Sequence, residues 1–349
     1  MGISLTQTLQ SKLPELRLAV PGFLICLVVA ATAQFLSDHY GAPAMLMALL
    51  LGIALNFLGE EGRAVKGIAL TAKTVLRIGV ALLGARISVD LLMDLGPQLI
   101  SLVVGGVILT ILFALTVGKL FGFDSKFSFL TGGSVAICGA SAAMAIGAIL
   151  PKNNNDSEGE DFSERNLIFT VLGVTVLSTI AMVLYPILSS LFEFDTRQSG
   201  VFLGGTIHDV AQVVGAGFSI SNETGEVATL VKLIRVTMLA PVVLVATLVI
   251  RARYNGASQT GASKPPLLPM FVIMFLILAG LNSAHLIPQI LVDWAGVVSR
   301  WALLTSIAAV GMKTSLGKVL EVGGPAIGLI VLETIFIAGV IIAGLQLLT

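Results

Sequence analysis

Charge is scarce in this chain: Asp, Glu, Lys and Arg make up 11% of 349 residues, where a soluble domain carries about a quarter. Its formal net charge is zero, so no basic surface invites a nucleic-acid partner, and none is expected. Cysteine is nearly absent. Cys26 and Cys138 are too few and too far apart for a disulfide framework or a zinc site, so no metal is expected. Two Trp and three Tyr leave only thin aromatic belts. No Walker-type nucleotide loop is present, which argues against ATP-driven transport by this chain alone; no cofactor is expected. No polar stretch is long enough for a soluble domain. The longest, 151–165 and 251–266, read as flexible connectors.

What is present is hydrocarbon. Hydrophobic residues make up 56% of the chain, and mean hydropathy is +0.99. The chain reads as an all-α polytopic membrane protein. Segments of about 20 apolar residues, the length of a spanning helix, occur near 18–37, 42–58, 66–86, 95–118, 127–150, 166–191, 200–218, 227–250, 267–286, 294–312 and 322–348. That is about eleven transmembrane helices. Leu5, Leu9, Leu13 and Leu16 recur at helical spacing, so the N-terminal stretch suits the membrane surface. Ala31-Thr32-Ala33 resembles a signal-peptide cleavage site; a retained first helix is the favoured reading. Lys and Arg concentrate in the segments that face inside when the N-terminus is cytoplasmic, which puts the C-terminus outside. Short loops suggest a bacterial inner membrane.

Two internal echoes appear. "TAKTVLRIGVAL" (71–82) is similar to "TLVKLIRVTMLA" (229–240), and "GARISVDLLMDLGP" (84–97) to "GMKTSLGKVLEVGGP" (311–325). Each has an odd helix offset, the mark of an inverted repeat, but the two registers exclude each other. The first is preferred here because it fills equal units: residues 1–37 as an amphipathic segment and extra helix, 38–192 as one five-helix repeat, and 193–349 as the other.

Span five, "LTGGSVAICGASAAMAIGAILP" (130–151), opposes continuous helix. Gly132, Gly133 and Gly139 weaken it, and Thr131, Ser134 and Ser141 can satisfy freed backbone groups or bind a solute. Interrupted backbone survives at membrane depth only inside protein or along a watery cavity. Transporters place substrate at such breaks, and the N-terminal end of a half-helix suits an anion. Close helix packing is the alternative reason for small residues. In the preferred register span ten is the partner, with Thr305, Ser306 and Gly311 marking its break. Span seven carries "GGTIHDVAQVVGAG" (204–217), where His208 and Gln212 share a helical face beside Asp209. His208 and Asp209 are candidates for proton coupling. The bland reading leaves them at the headgroups.

Four mid-span basic residues, Lys73, Arg77, Lys232 and Arg235, face two mid-span carboxylates, Asp209 and Glu333. This surplus favours a negatively charged solute, although Arg77–Glu333 or Arg235–Asp209 ion pairs would be purely structural. Cys138 with His208 is the sole pairing a membrane-embedded enzyme could use, and a small buried thiol is the commoner case. No enzymatic activity is expected.

"GGSVAICGASAAMA" (132–145) followed by "GGTIHDVAQVVGAG" resembles the YeiH-type family of bacterial inner-membrane proteins, often labelled sulfate exporters. The resemblance runs from about residue 20 to 348. It implies a distant relation to the bile acid–sodium symporter and cation–proton antiporter superfamily. That relation implies inverted five-helix repeats, broken helices that cross (spans five and ten here), and elevator transport. It also suggests a homodimer by analogy. Span five lacks the mid-span Asp that a cation–proton antiporter would use. The expectation is a secondary transporter of a small anion of the sulfate, sulfite or sulfonate class. Substrate would be bound by Gly132, Gly133, Ser134, Gly139, Ser141, Thr305 and Ser306, with Lys73, Arg77, Lys232 and Arg235 giving positive potential. His208, Asp209, Gln212 and Glu333 would couple transport to ions or protons. A cation-coupled symporter or antiporter is the rival reading.

Overall fold

A computed structural model describes residues 5–86, 89–150, 162–253, 269–314 and 324–348. Both polar loops fall largely outside these residues, as does most of the 311–325 echo. Among the described residues the chain is helical and has no strand. Helices α1 (Leu5–Tyr40), α2 (Ala44–Ala54), α3 (Phe57–Glu60) and α4 (Val65–Leu70) lead into a π-helical turn, Thr71–Val75, and then α5 (Leu76–Leu83). Next come α6 (Val89–Leu120), α7 (Ser125–Ala136), α8 (Ala140–Ile149), α9 (Phe162–Leu191), α10 (Thr196–Thr206), α11 (Val210–Ile220), α12 (Asn222–Thr237) and α13 (Leu239–Arg253). The last three are α14 (Met270–Ser283), α15 (Gln289–Lys313) and α16 (Gly324–Leu348).

Among the described residues, six helical stretches are long and apolar enough to cross a membrane: Arg17–Tyr40, Leu95–Leu120, Asn166–Leu191, Asn222–Ile250, Gln289–Lys313 and Gly324–Leu348. Four shorter apolar helices are α2, α8, α11 and α14. The long helices turn leucine, isoleucine and valine outward, while Lys232, Arg235, His208 and Glu333 are fully buried. Apolar outside and charged inside is the pattern of a chain whose solvent is lipid. This is a multi-pass membrane protein. The N-terminal leucines do not form a separate surface helix, because α1 continues unbroken from Leu5 to Tyr40.

The chain divides into two compact units: residues 1–88 with 274–315, and 89–273 with 316–349. The sequence division at 37/38 and 192/193 follows repeats; this one follows packing.

In the first unit, α2 and α5 pack on α15, and α1 on α2 and α4. Close approach depends on paired glycines. A Cβ at Gly22 would meet the backbone of Ala64 and Gly67, and one at Gly52 that of Ala308 and Gly311. Without a hydrophobic force between helices in lipid, such small-residue contacts carry the association. Overpacking there costs about 1–3 kcal/mol. Gly52→Leu is therefore expected to lower the melting temperature of the purified protein, while Gly280→Leu, with open space around it, should not.

The second unit holds α6 to α13 and α16. Helix α6 bends at Gly96-Pro97, where Gly96 has a φ of 69° and ψ of 160°, outside the helical range. Helices α7 and α10 are buried almost all round, which is why neither shows the one-sided pattern of a surface helix.

Candidate site at two interrupted helices

Helix α7 begins where Asp124 accepts a hydrogen bond from the Phe127 N–H at 2.8 Å, a standard N-cap. It does not break at Gly132-Gly133. Those glycines lie inside α7, and a Cβ at them would meet Ala114 of α6 and Ile146 of α8 respectively. They are packing positions. The break comes at Ile137-Cys138-Gly139. Gly139 sits at φ 61° and ψ −126°, which the absence of a Cβ permits, and its N–H closes the helix end on the Ser134 carbonyl at 2.8 Å. Helix α8 restarts at Ala140. Gly139→Ala is expected to cost about 1–3 kcal/mol from backbone strain alone, read as a lower melting temperature.

The second break is in span seven. Asp195 and Gln198 form a capping box that starts α10. After Thr206 the chain is extended at Ile207 and again at Asp209, before α11 begins at Val210. Span ten, expected to carry this break, is the continuous helix α15 in the other unit. Thr305 and Ser306 give their hydroxyl protons to the Trp301 and Ala302 carbonyls one turn back, which satisfies them within an intact helix.

The two breaks meet on α12. Lys232 Nζ donates to the carbonyls of Ile137 at 2.7 Å and Ile207 at 3.0 Å. Arg235 donates through Nε to Ala136 at 2.9 Å and through Nη2 to Val135 at 2.7 Å. Its Nη1 donates to Gly204 at 3.1 Å and Ile207 at 2.9 Å. Both side chains are fully buried. The last carbonyls of a helix have no internal partner and carry roughly half a negative charge. Two such ends, α7 and α10, converge on these two cations. An unpaired buried cation would be prohibitive, and this geometry supplies the compensation. The cations hold both interrupted helices by their carbonyl ends.

At the opposite ends, the N-termini of α8 and α11, no side chain caps the first turn, and in α8 the Ala142 N–H is bonded to Cys138. Asp209 lies between them. Its own N–H donates to Ser178 Oγ at 3.0 Å, and a Cβ on Gly139 would come within 3.2 Å of its carboxyl carbon. Thus Asp209, from one break, reaches the start of α8 at the other, and it also interacts electrostatically with Lys232. Asp209 is half-buried, and Ser141, in the first turn of α8, is exposed. Gln212, in the first turn of α11, donates to Thr179 Oγ1 at 3.4 Å, while its Oε1 has no partner.

A second polar group lies on α16. Glu333 accepts from Thr131 Oγ1 at 2.8 Å, leaving Oε2 without a partner. Thr334 gives its proton to the Ile330 carbonyl at 2.7 Å and so accepts from His208 Nε2 at 3.0 Å. His208 Nδ1 has no hydrogen-bond partner. One helix therefore ties Glu333 to α7 and Thr334 to the α10–α11 break. Cys138 is buried in its own break.

The structure thus brings Gly139, Ser141, His208, Asp209, Gln212, Lys232 and Arg235 to one pair of breaks, with Ser134 in the last turn of α7 and Glu333 behind it. Ser134 is buried and donates to the Leu130 carbonyl at 2.5 Å. Lys73 and Arg77 are not part of this group; they lie in the first unit, exposed, on the π-helical turn and on α5. Arg235 and Asp209 do not form the structural ion pair that sequence alone left open, because Arg235 is bonded to carbonyls. Sequence reading missed Ser178 and Thr179, whose adjacent hydroxyls in an otherwise apolar run were the available signal. It also missed Thr334, beside Glu333.

A family profile described as conserved hypothetical protein 698 matches residues 21–330. The UPF0324 membrane protein TauZ of Paracoccus pantotrophus is 68% identical over 331 residues, covering 95% of this chain and 96% of its own. The protein of the same name from Paracoccus denitrificans is 64% identical, with coverage of 95% and 96%. The UPF0324 membrane protein RB0971 of Rhizobium meliloti is 61% identical, with coverage of 94% and 93%. This chain belongs to the conserved hypothetical protein 698 family, the UPF0324 membrane proteins, which is the YeiH-type family its two glycine-rich motifs resemble.

Proposed function

We propose that this protein is a secondary transporter of a small anion of the sulfate, sulfite or sulfonate class, bound where α8 and α11 begin. The observation that carries the reading is the charge balance of the breaks. Two formal cations, Lys232 and Arg235, face two carbonyl ends worth roughly one negative charge together. The N-termini of α8 and α11 add roughly one positive charge. Asp209 cancels one unit, which leaves a surplus of about one positive charge for an anion. The exposed Ser141 and backbone N–H groups of the two first turns are the ligands. Lys232 and Arg235 act as fixed charge behind the site, because two of the three Lys232 donors and four of the five Arg235 donors are engaged with carbonyls.

Asp209 competes with the anion for the start of α8. A proton on Asp209 relieves that competition, so anion and proton load together. His208 and Glu333, each with one unpartnered atom, are further coupling candidates. Transport would proceed in elevator fashion, as the family resemblance implies, in a bacterial inner membrane with the N-terminus cytoplasmic and with a homodimer as the assembly. Helix α8 folds back along α7, with Ile146 against Gly133, and Gly200 of α10 and Gly217 of α11 both meet Ala228 of α12, so neither pair is counted as one crossing span.

Proteoliposomes loaded with labelled sulfate, sulfite or a small sulfonate test the coupling. Wild type should move anion in response to a pH gradient. Asp209→Asn, which holds this side chain neutral, should keep anion exchange and lose the response to the gradient. Retention of the full pH response by Asp209→Asn removes Asp209 from the coupling step.

A further inference from the structure

In the second unit an apolar groove of about 710 Å³ runs between α6 and α13, against Ser125 and Phe129 of α7 and Leu150 just beyond α8. On α6 its lining recurs at helical spacing from Ile108 to Lys119, and from Met238, just before α13, along α13 to Ile250. At 1.5 Å per residue these stripes are about 17 and 18 Å long, close to half of a hydrocarbon core of about 30 Å, the depth of one leaflet. The stripes are uncovered: Leu112 and Val245, one on each, are 53% and 58% exposed. A groove of this length and volume accommodates a hydrocarbon chain lying along it.

One end of the groove is polar and basic. Exposed Lys119 and the exposed Ser125 line it there. No acidic residue lines the groove. We propose that this groove seats an anionic phospholipid, one acyl chain between α6 and α13 and the phosphate at Lys119 and Ser125. Charge complementarity at the rim separates this from general solvation by bilayer lipid, because basic pockets between membrane helices select anionic headgroups. The chain would lie against α7 at Phe129 and the end of α8 at Leu150.

The test uses the delipidated full-length protein in detergent, titrated with phosphatidylglycerol or with phosphatidylcholine of the same chains, and reads melting temperature and lipid binding by native mass spectrometry. Phosphatidylglycerol should bind and raise the melting temperature, and phosphatidylcholine should do so much less. Lys119→Ala should weaken phosphatidylglycerol binding about fivefold, the effect of one basic residue near a membrane surface, and Lys119→Glu should abolish the preference. Ala246→Phe, which fills the groove, should remove binding of either lipid. Lys119 is at the surface, so its variants are expected to fold even if Ala246→Phe does not. Equal responses to the two lipids, or a preference unchanged in Lys119→Glu, overturns the proposal.

Discussion

Arg235→Met should leave little folded protein. The substitution keeps much of the volume and removes every donor, so the carbonyls of Val135, Ala136 and Gly204 lose the bonds they receive from Arg235, and Ile207 keeps only Lys232. A buried acceptor left without a partner costs about 1–3 kcal/mol. Three or four together amount to several kcal/mol, which is comparable with the whole stability of many proteins. The carbonyl ends of α7 and α10 would also lose half of the charge that neutralises them. Arg235→Lys is the informative companion. It restores the charge but not the planar fork that reaches four carbonyls at once, so it should be intermediate in melting temperature. If Arg235→Met and Arg235→Lys melt alike and close to wild type, the cation does not hold the interrupted helices together.

The second large effect separates function from fold. Ser141 is exposed in the first turn of α8, where a negative side chain suits a helix and stabilises it by about 0.3–1 kcal/mol. The helix end favours this charge and Asp209 repels it, so Ser141→Asp should fold with a melting temperature at most modestly lowered. The same charge sits where the proposed anion binds, beside Asp209. Two unit charges about 4 Å apart repel by ~4 kcal/mol at an effective dielectric of 20, so labelled-anion flux in proteoliposomes should fall at least a hundredfold. Ser141→Asn, similar in size and neutral, should keep most of the flux. A stable Ser141→Asp protein with wild-type anion flux places the passenger elsewhere.

The membrane class and the interruption of span five were legible in the sequence because both are written in residue types: apolar runs of spanning length, and small residues where a helix in lipid needs bulk. The position of the interruption was not. Gly132-Gly133 draws the eye, yet those two are small because α6 and α8 press on α7 there, whereas Gly139 is small because its φ is positive. Packing and turning select the same residue. The span-ten break followed from a repeat register chosen for equal lengths. The second interruption lies in span seven, just after Gly204-Gly205-Thr206, which themselves belong to α10. The cations show the deepest limit. Sequence gives Lys232 and Arg235 as charges and invites a soluble counter-ion, but their partners are backbone carbonyls, which every residue has and no residue letter records. Contacts such as Thr131–Glu333, 202 positions apart, are equally invisible until the chain is folded.

Equilibrium binding to the purified protein tests the central claim most directly. Radiolabelled sulfate and a small sulfonate should bind saturably, compete with each other, and lose their affinity in Ser141→Asp while keeping it in Ser141→Asn, whether the accompanying cation is sodium, potassium or choline. Saturable binding of sodium with no anion binding under any condition would contradict the account.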